Sequence, residues 1–523
     1  MKIFIGYDSR EQEAYDICHY SIKEKTGDTI PIGPLKQSDL RNCGLYTRPA
    51  NEPASTEFTF TRFLIPQLYA GQWALFVDCD FVFTASLHEL FALCDPKYAV
   101  MCCKHDYIPK AATKMDGQKQ TAYPRKNWSS LVLFNCQHPA NKALTPEVIN
   151  SANGSFLHRF QWLTDDLIGD IPIDWNYLVG EYPKLSYVPK GIHYTNGGPW
   201  FPAYEKCDYH EIWTACGERL KESKIKTVGI CYTKNSIHSK LSYENFIKGV
   251  LAVGDRVVKI HDIGEMKLLD QCHAMFQVSE ANMSSPDNEF RQKLKLYADE
   301  KKKPRLVIDT GFVKNKRFDN EDLDRYMALG DGGIKRKARY FNEHSPSDRW
   351  KKLKFEMKPW RTTGKHILVI GQNEVGISSQ HINVLDWWSK IIQEINELTN
   401  RPVLFRKHPS QRQLPIYGIY KPSPFNNKDI IQDLQNDIWC VVARTTNGAV
   451  DAILNGIPAI TPDDWSMAYD VAGHDIKQVN NPPTPDRTQW AYDLAYAQWA
   501  FDEMAEGLPW LHFRNYLWPP DSR

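Results

Sequence analysis

Trp73–Phe83 reads WALFVDCDFVF: five apolar residues run into two carboxylates, Asp78 and Asp80, two positions apart. An unbroken apolar run closed by polar residues is the pattern of a strand buried on both faces. Side-chain alternation at its end aims Asp78 and Asp80 toward the same side. Two acids held that close need protons or a cation between them. A hard divalent ion such as Mn²⁺ or Mg²⁺ accepts carboxylate oxygens and keeps positions open for phosphate oxygens, so the pair could tether a nucleotide diphosphate. Taken alone, so short a pattern fits a solvated pair of acids in a turn better.

Upstream, Phe58 to Tyr69 places apolar residues at helical spacing and leads through a turn at Gly71 into the acid-tipped run, which makes one αβ unit. Further strands are expected at Lys2 to Gly6, Tyr98 to Cys103 and Leu131 to Phe134. Residues 1–235 therefore read as an α/β domain with a mainly parallel sheet. A second α/β series occupies residues 245–523, in lobes 245–330 and 365–475. Its strands are expected at Arg256 to Ile260, Arg305 to Ile308, His366 to Ile370, Val403 to Phe405 and Trp439 to Val442. Between the lobes, residues 331–365 read as a basic linker, and 489–504 as an amphipathic helix rich in Ala and Trp.

Composition agrees with two folded domains. At 523 residues the chain exceeds the roughly 250 to 300 residues that one core sustains. With 42% apolar and 24% charged residues it is an ordinary globular protein, and a net charge of +1 excludes a chain basic throughout. Its 16 Trp and 25 Tyr would suit stacking on sugar faces, although such rings mostly fill cores. The 12 Cys lack paired metal spacings. No apolar run of about 18 residues occurs, and MKIFIGYD lacks the sections of a signal peptide. A cytoplasmic protein without a transmembrane segment is expected.

Thr59–Phe91 resembles the glycogenin and bacterial lipopolysaccharide galactosyltransferase family of GT-A type, where an Arg-bearing helix precedes the DxD strand. The family's later His-Gly-Pro-Trp element has a counterpart in GIHYTNGGPWF, with His193, Gly197, Gly198, Pro199 and Trp200. The resemblance implies a glycosyltransferase of hexosyl type that uses a nucleotide-diphosphate sugar of uridine kind. The metal, Mn²⁺ or Mg²⁺, would sit on Asp78, Asp80 and His193, and the acceptor would be a glycan or another hydroxyl. It further implies donor contacts from Asp8, Arg62, Asp106, Gly197 and Gly198, the glycines letting backbone N–H groups approach the diphosphate. Thr164, Asp165 and Asp166 fall on the family's Asp-Gln-Asp helix. Asp165 and Asp166 are thereby the catalytic candidates, Asp165 for the positive charge that develops on the sugar ring.

Plainer readings stand beside these. Asp8 suits a helix N-cap, Arg62 a solvated surface pair, His193 a Gly-Pro turn, and Asp165 an acidic helix start. Two departures count against a full match. The family's Asn-Ser-Gly is Trp128-Ser129-Ser130 here, and its Lys before the Pro-Trp pair is Gly198, so that Lys104, Lys114 or Arg125 would have to supply the missing charge.

Residues 245–523 resemble, more loosely, capsule-polysaccharide transferases of two-lobed GT-B type, on RKHP (Arg406–Pro409) and RTTNGAVDAILNGIPAIT (Arg444–Thr461). The resemblance implies nucleotide phosphate bound by His408, Thr445, Thr446 and Asn447 at a helix start, and a second transferase activity. Thr and Asn are equally ordinary helix caps. Lys335 to Lys365 holds eleven Lys or Arg against three acids, interleaved with Tyr340, Phe341, Trp350, Phe355 and Trp360. That keeps open a rival in which the chain glycosylates modified bases of viral DNA. An inactive nucleotide-sugar-binding module is the other alternative.

Overall fold

The structure is a computed structural model that describes residues 1–49, 54–69, 71–109, 113–114, 118–119, 124–233, 237–279, 288–313, 326–372, 384–408, 418–425 and 429–519. The chain divides into two compact units, Met1–Lys224 and Ile225–Arg523. Both are α/β with parallel-rich sheets, the class expected from the sequence.

The described strands of the first unit are β1 (Lys2–Gly6), β2 (Ile32–Leu35), β3 (Trp73–Val77), β4 (Phe81–Phe83), β5 (Val100–Cys102), β6 (Thr113–Lys114), β7 (Gln118–Lys119), β8 (Leu131–Asn135), β9 (Ile168–Asp170), β10 (Tyr177–Leu178) and β11 (Gly191–His193). Six of them form a sheet in the order β2-β1-β3-β8-β5-β9. All five residues of β3 are buried, as its unbroken apolar run requires of a central strand. Strand β1 runs parallel to β3, but β8 is antiparallel to both its neighbours, β3 and β5. The sheet is therefore less uniformly parallel than the sequence suggests. Between β5 and β8 the described residues hold the β6–β7 hairpin instead of a crossover helix, and without a crossover a strand returns in the opposite sense.

Helix Gln12–Thr26 buries Ala14, Ile17, Cys18 and Ile22 and stops at Gly27, whose φ of 69° suits glycine. The expected helix at Phe58 to Tyr69 is a 3-10 turn, Thr61–Leu64, running into a short helix, Ile65–Leu68. Pro66 occupies the first turn of that helix, where its missing N–H costs nothing. A second sheet, β10-β11-β4, sets Phe81 of β4 opposite His193 of β11. That pairing carries His193 to the tip of β3.

The second unit contains β12 (Thr227–Cys231), β13 (Arg256–Ile260), β14 (Ala274–Val278), β15 (Arg305–Thr310), β16 (Tyr326–Asp331), β17 (His366–Ile370), β18 (Val403–Arg406), β19 (Lys421–Pro422), β20 (Ile438–Ala443), β21 (Ala459–Ile460) and β22 (Gln498–Ala500). Two sheets result, β13-β12-β14-β15-β16-β22 and the all-parallel β19-β18-β17-β20-β21. Strand β12, read from the sequence with the first 235 residues, lies between β13 and β14 of the second unit.

Two other segments depart from expectation. Residues 489–504 are not one helix: helix Thr488–Tyr496 ends, β22 pairs antiparallel with β16, and a helix resumes at Phe501–Ala505. Buried Gln498 decides this, because its side chain accepts from the N–H groups of Phe312 and Val313, both at 2.8 Å, and donates to the carbonyl of Val313. The basic stretch 331–365 is no free linker, since Tyr340, Trp350 and Leu353 belong to a hydrophobic core. Arg336 pairs with Asp470, Lys337 with Asp464, and Arg349 and Lys352 with Glu503. Two of the interleaved rings, Tyr340 and Trp350, are thus buried in the core and four of the cations are paired; DNA binding finds no support. No helix among the described residues is long and apolar enough to cross a membrane.

Candidate metal centre

Asp78 and Asp80 leave β3 in the tight connection to β4. The Asp78 N–H donates to the Ser130 carbonyl at 2.9 Å, and the Asp80 carbonyl accepts from the Tyr194 N–H at 2.9 Å. Those two bonds lock the connection to β8 on one side and to the end of β11 on the other. One side-chain ligand atom from each of Asp78, Asp80 and His193 lies within 4.8 Å of the other two. His193 Nε2 is 3.3 Å from Asp80 Oδ1. Donor atoms about 2.1 Å from a shared ion lie no more than about 4.2 Å apart, which a fraction of an ångström of side-chain movement achieves. Two carboxylate oxygens and one imidazole nitrogen suit Mn²⁺ or Mg²⁺, so the residues present fit the group.

The surroundings orient these ligands. His193 is 1% exposed, and its ring stacks on Phe81 with centroids 4.3 Å apart. Its Nδ1 is 2.9 Å from Asn176 Oδ1. Asn176 donates through Nδ2 to Ser130 Oγ at 2.9 Å, and Ser130 Oγ donates to the Asn127 carbonyl at 2.8 Å. Arg62 is buried instead of solvated. Its Nη1 sits 2.8 Å from Asp78 Oδ1 and donates at 2.8 Å to the Ser129 carbonyl, and its guanidinium lies over the rings of Phe58 and Phe76.

Sequence reasoning missed the supports that Asn176 and Ser130 give His193, and it missed Glu11 and His105 as well. Glu11 is 4% exposed and accepts a weak bond from Cys79 Sγ. Burial, then the charges of Asp80 and Asp8, push its carboxyl up to about 8. Its place three residues after Asp8 imitates the acid of a capping box, which conceals it in the sequence. His105 is buried with Nδ1 2.9 Å from the Tyr182 hydroxyl. Burial first, then the nearby His193, hold its imidazole down to about 3. Nothing in the sequence distinguishes it.

The remaining candidates are placed as follows. Asp8 is fully buried and caps the turn Ser9–Glu11. It accepts from Arg10 N–H, Nε and Nη2 and from the Glu57 N–H. Burial pushes its carboxyl up, but those bonds outweigh the burial and hold it below the usual range. Gly197 has φ 118°, and its N–H is already given to the Tyr194 carbonyl at 2.8 Å, so this glycine serves the turn. A Cβ at Gly198 would fall 1.9 Å from the Trp200 ring. Asp106 is exposed. Asp165 and Asp166 are exposed on the turn Asp165–Leu167, with Asp165 paired to Arg125. Lys104 pairs with Asp170. The Lys114 side chain and Pro409 lie outside the described residues.

In the second unit His408 is half-buried. Buried Thr445 donates to Gln372 Oε1 at 3.0 Å, Thr446 Oγ1 accepts from the Gly448 N–H, and Asn447 reaches the Gly311 carbonyl. Asn447 is the N-cap of helix Gly448–Leu454, and its side chain makes no capping bond there.

No family model matches the chain. It is 54% identical over 230 residues to Protein CDI of Arabidopsis thaliana, a match spanning 43% of this chain and 88% of that protein. Among solved structures it is similar to the WbbM bifunctional glycosyltransferase, with TM-score 0.32, 16% identity, and 42% of this chain against 51% of that one. The match thus spans about half of the WbbM chain. It is also similar to the glycosyltransferase GlyE of Streptococcus pneumoniae TIGR4, with TM-score 0.29, 12% identity, and 58% of this chain against 90% of that one.

Proposed function

This chain belongs to the family of Arabidopsis thaliana Protein CDI, and we propose that its first unit is a metal-dependent glycosyltransferase. It would move a hexosyl group from a nucleotide-diphosphate donor of uridine type to an acceptor hydroxyl of a glycan. The observation that carries this reading is the convergence of Asp78, Asp80 and His193 within 4.8 Å, from strands far apart in sequence. Asp78, Asp80 and His193 would hold Mn²⁺, which when bound ties down the diphosphate and stabilises it as it leaves. Arg62 holds the Asp78 carboxylate in place, and Phe81 and Asn176 fix the plane of His193. Asp165, with Asp166 beside it, would stabilise positive charge on the sugar ring, and Arg125 holds its carboxylate in place. Asp106, exposed after β5, would meet sugar hydroxyls.

The test mixes the full chain with Mn²⁺ and a panel of nucleotide sugars and measures free nucleotide. Asp80→Asn is expected to abolish release while leaving the unfolding transition in place, because it removes a ligand and no core packing. Turnover that survives both Asp80→Asn and a chelator would overturn the proposal. Donor binding without any nucleotide release would favour the inactive binding module.

A further inference from the structure

Within the short segment Asn127 to Ser130, three residues bond to the chain around the metal ligands. The Ser130 carbonyl takes the Asp78 N–H at 2.9 Å, and the Ser129 carbonyl takes Arg62 Nη1 at 2.8 Å. Asn127 Nδ2 donates at 3.1 Å to Thr195 Oγ1, two residues beyond His193. Asn127 itself has φ 62°, a left-handed conformation that Asn tolerates better than most residues. Ser130 Oγ then begins a chain of hydrogen bonds whose direction is forced.

A carbonyl only accepts, so Ser130 must donate its hydroxyl proton to the Asn127 carbonyl at 2.8 Å. Ser130 Oγ is then the acceptor for Asn176, whose amide must turn Nδ2 toward it at 2.9 Å. That leaves Asn176 Oδ1 facing His193 Nδ1 at 2.9 Å, where it too can only accept. Nδ1 must therefore carry the proton. A neutral imidazole has one N–H, so the lone pair stands on Nε2, the nitrogen 3.3 Å from Asp80 Oδ1. Asn176 is 0% and Ser130 2% exposed, so water does not compete for these bonds.

We infer that Ser130 and Asn176 are positioning residues that set the tautomer of His193, presenting Nε2 as a metal ligand. This inference rests on the metal-centre reading above. Outer partners of this kind are generally worth about 10- to 100-fold in metal affinity.

The experiment titrates Mn²⁺ into the full chain and into Asn176→Leu, Asn176→Asp, Ser130→Ala and Asp80→Asn. It also reads the histidine tautomer by NMR of ¹⁵N-histidine-labelled protein without metal. Asn176→Leu is expected to weaken Mn²⁺ binding about 10- to 100-fold. Asn176→Asp should bind as well as the native chain or better, since a carboxylate also accepts from Nδ1 and the Ser130 hydroxyl can turn to it. Ser130→Ala frees the Asn176 amide to flip, so part of the Nδ1–H signal should move to Nε2–H.

A purely structural role predicts the reverse order, with buried Asp harmful and apolar Leu tolerated. Unchanged binding in Asn176→Leu, binding in Asn176→Asp weaker than in Asn176→Leu, or an Nε2–H tautomer in the native chain would overturn the inference. Native chain that carries the Nδ1–H tautomer but binds no Mn²⁺ would instead overturn the metal-centre reading while leaving the tautomer assignment standing.

Discussion

Arg62 supplies counter-charge to Asp78 in a setting where neither side chain is well hydrated: 6% of Arg62 and 17% of Asp78 remain exposed. Removing one partner of so enclosed a pair leaves the other charge uncompensated, at a cost of about 3 to 5 kcal/mol. Arg62→Gln should therefore lower the unfolding temperature in chelator, and Mn²⁺ should recover part of the loss by taking over the compensation of Asp78. A deficit that Mn²⁺ leaves unchanged would separate Arg62 from the metal site. His105 makes a second prediction. Its imidazole is held down to about 3 in the fold against 6.5 when unfolded, so below pH 6.5 the unfolded chain binds the proton first. Stability is then lost as pH falls from 6.5 toward 3, by about 1.4 kcal/mol per pH unit for this group. His105→Gln should flatten that part of the profile in denaturant melts at stepped pH. At this scale Asp78 and Asp80 were legible as two acids at the end of an apolar run, whereas His193 was reached only through the resemblance of its Gly-Pro-Trp element. Asn176 and Ser130 were not legible, because a hydrogen-bond chain depends on strands meeting in space and leaves no spacing behind.

Among the elements, the pairing of β4 with β11 decides the site, and one glycine controls how closely β11 approaches. A Cβ at Gly191 would stand 2.1 Å from the Trp175 carbonyl oxygen, and Asn176 is the next residue. Gly191→Ala must push β11 and the turn Ile173–Trp175 apart. Such overpacking costs about 1 to 3 kcal/mol. It should also weaken Mn²⁺ binding by parting Asn176 from His193, which thermal melts and metal titration on one preparation would show together. Buried strands such as β3, β17 and β20 were legible as apolar runs. The split of residues 489–504 was not. Its Ala and Trp positions satisfy a helical period, and only the burial of the Gln498 amide against Phe312 and Val313 makes a strand there favourable.

For the whole molecule, the boundary falls between Lys224 and Ile225, ahead of β12. Residues 1–224 should express as a cooperative fragment that retains Mn²⁺ binding. A fragment starting at 236 lacks β12, the strand between β13 and β14, and is expected to be protease-sensitive where 225–523 resists. Equal resistance of the two would refute the assignment of that strand. The basic stretch shows the limit of reading charge from sequence: its cations are numerous, but whether they face solvent or acids such as Asp470 and Glu503 is settled by packing. Strand β22 closes the sheet that β12 opens, and Trp499, Trp510 and Phe513 share a core with Val228 and Phe246. On the ribosome, then, the earliest residues of the second unit must wait, with apolar surface uncovered, until translation has passed helix Leu508–Leu517. Such long-range closure folds slowly, and a premature stop just ahead of that helix would strand a nearly finished domain for chaperones and proteases to sort.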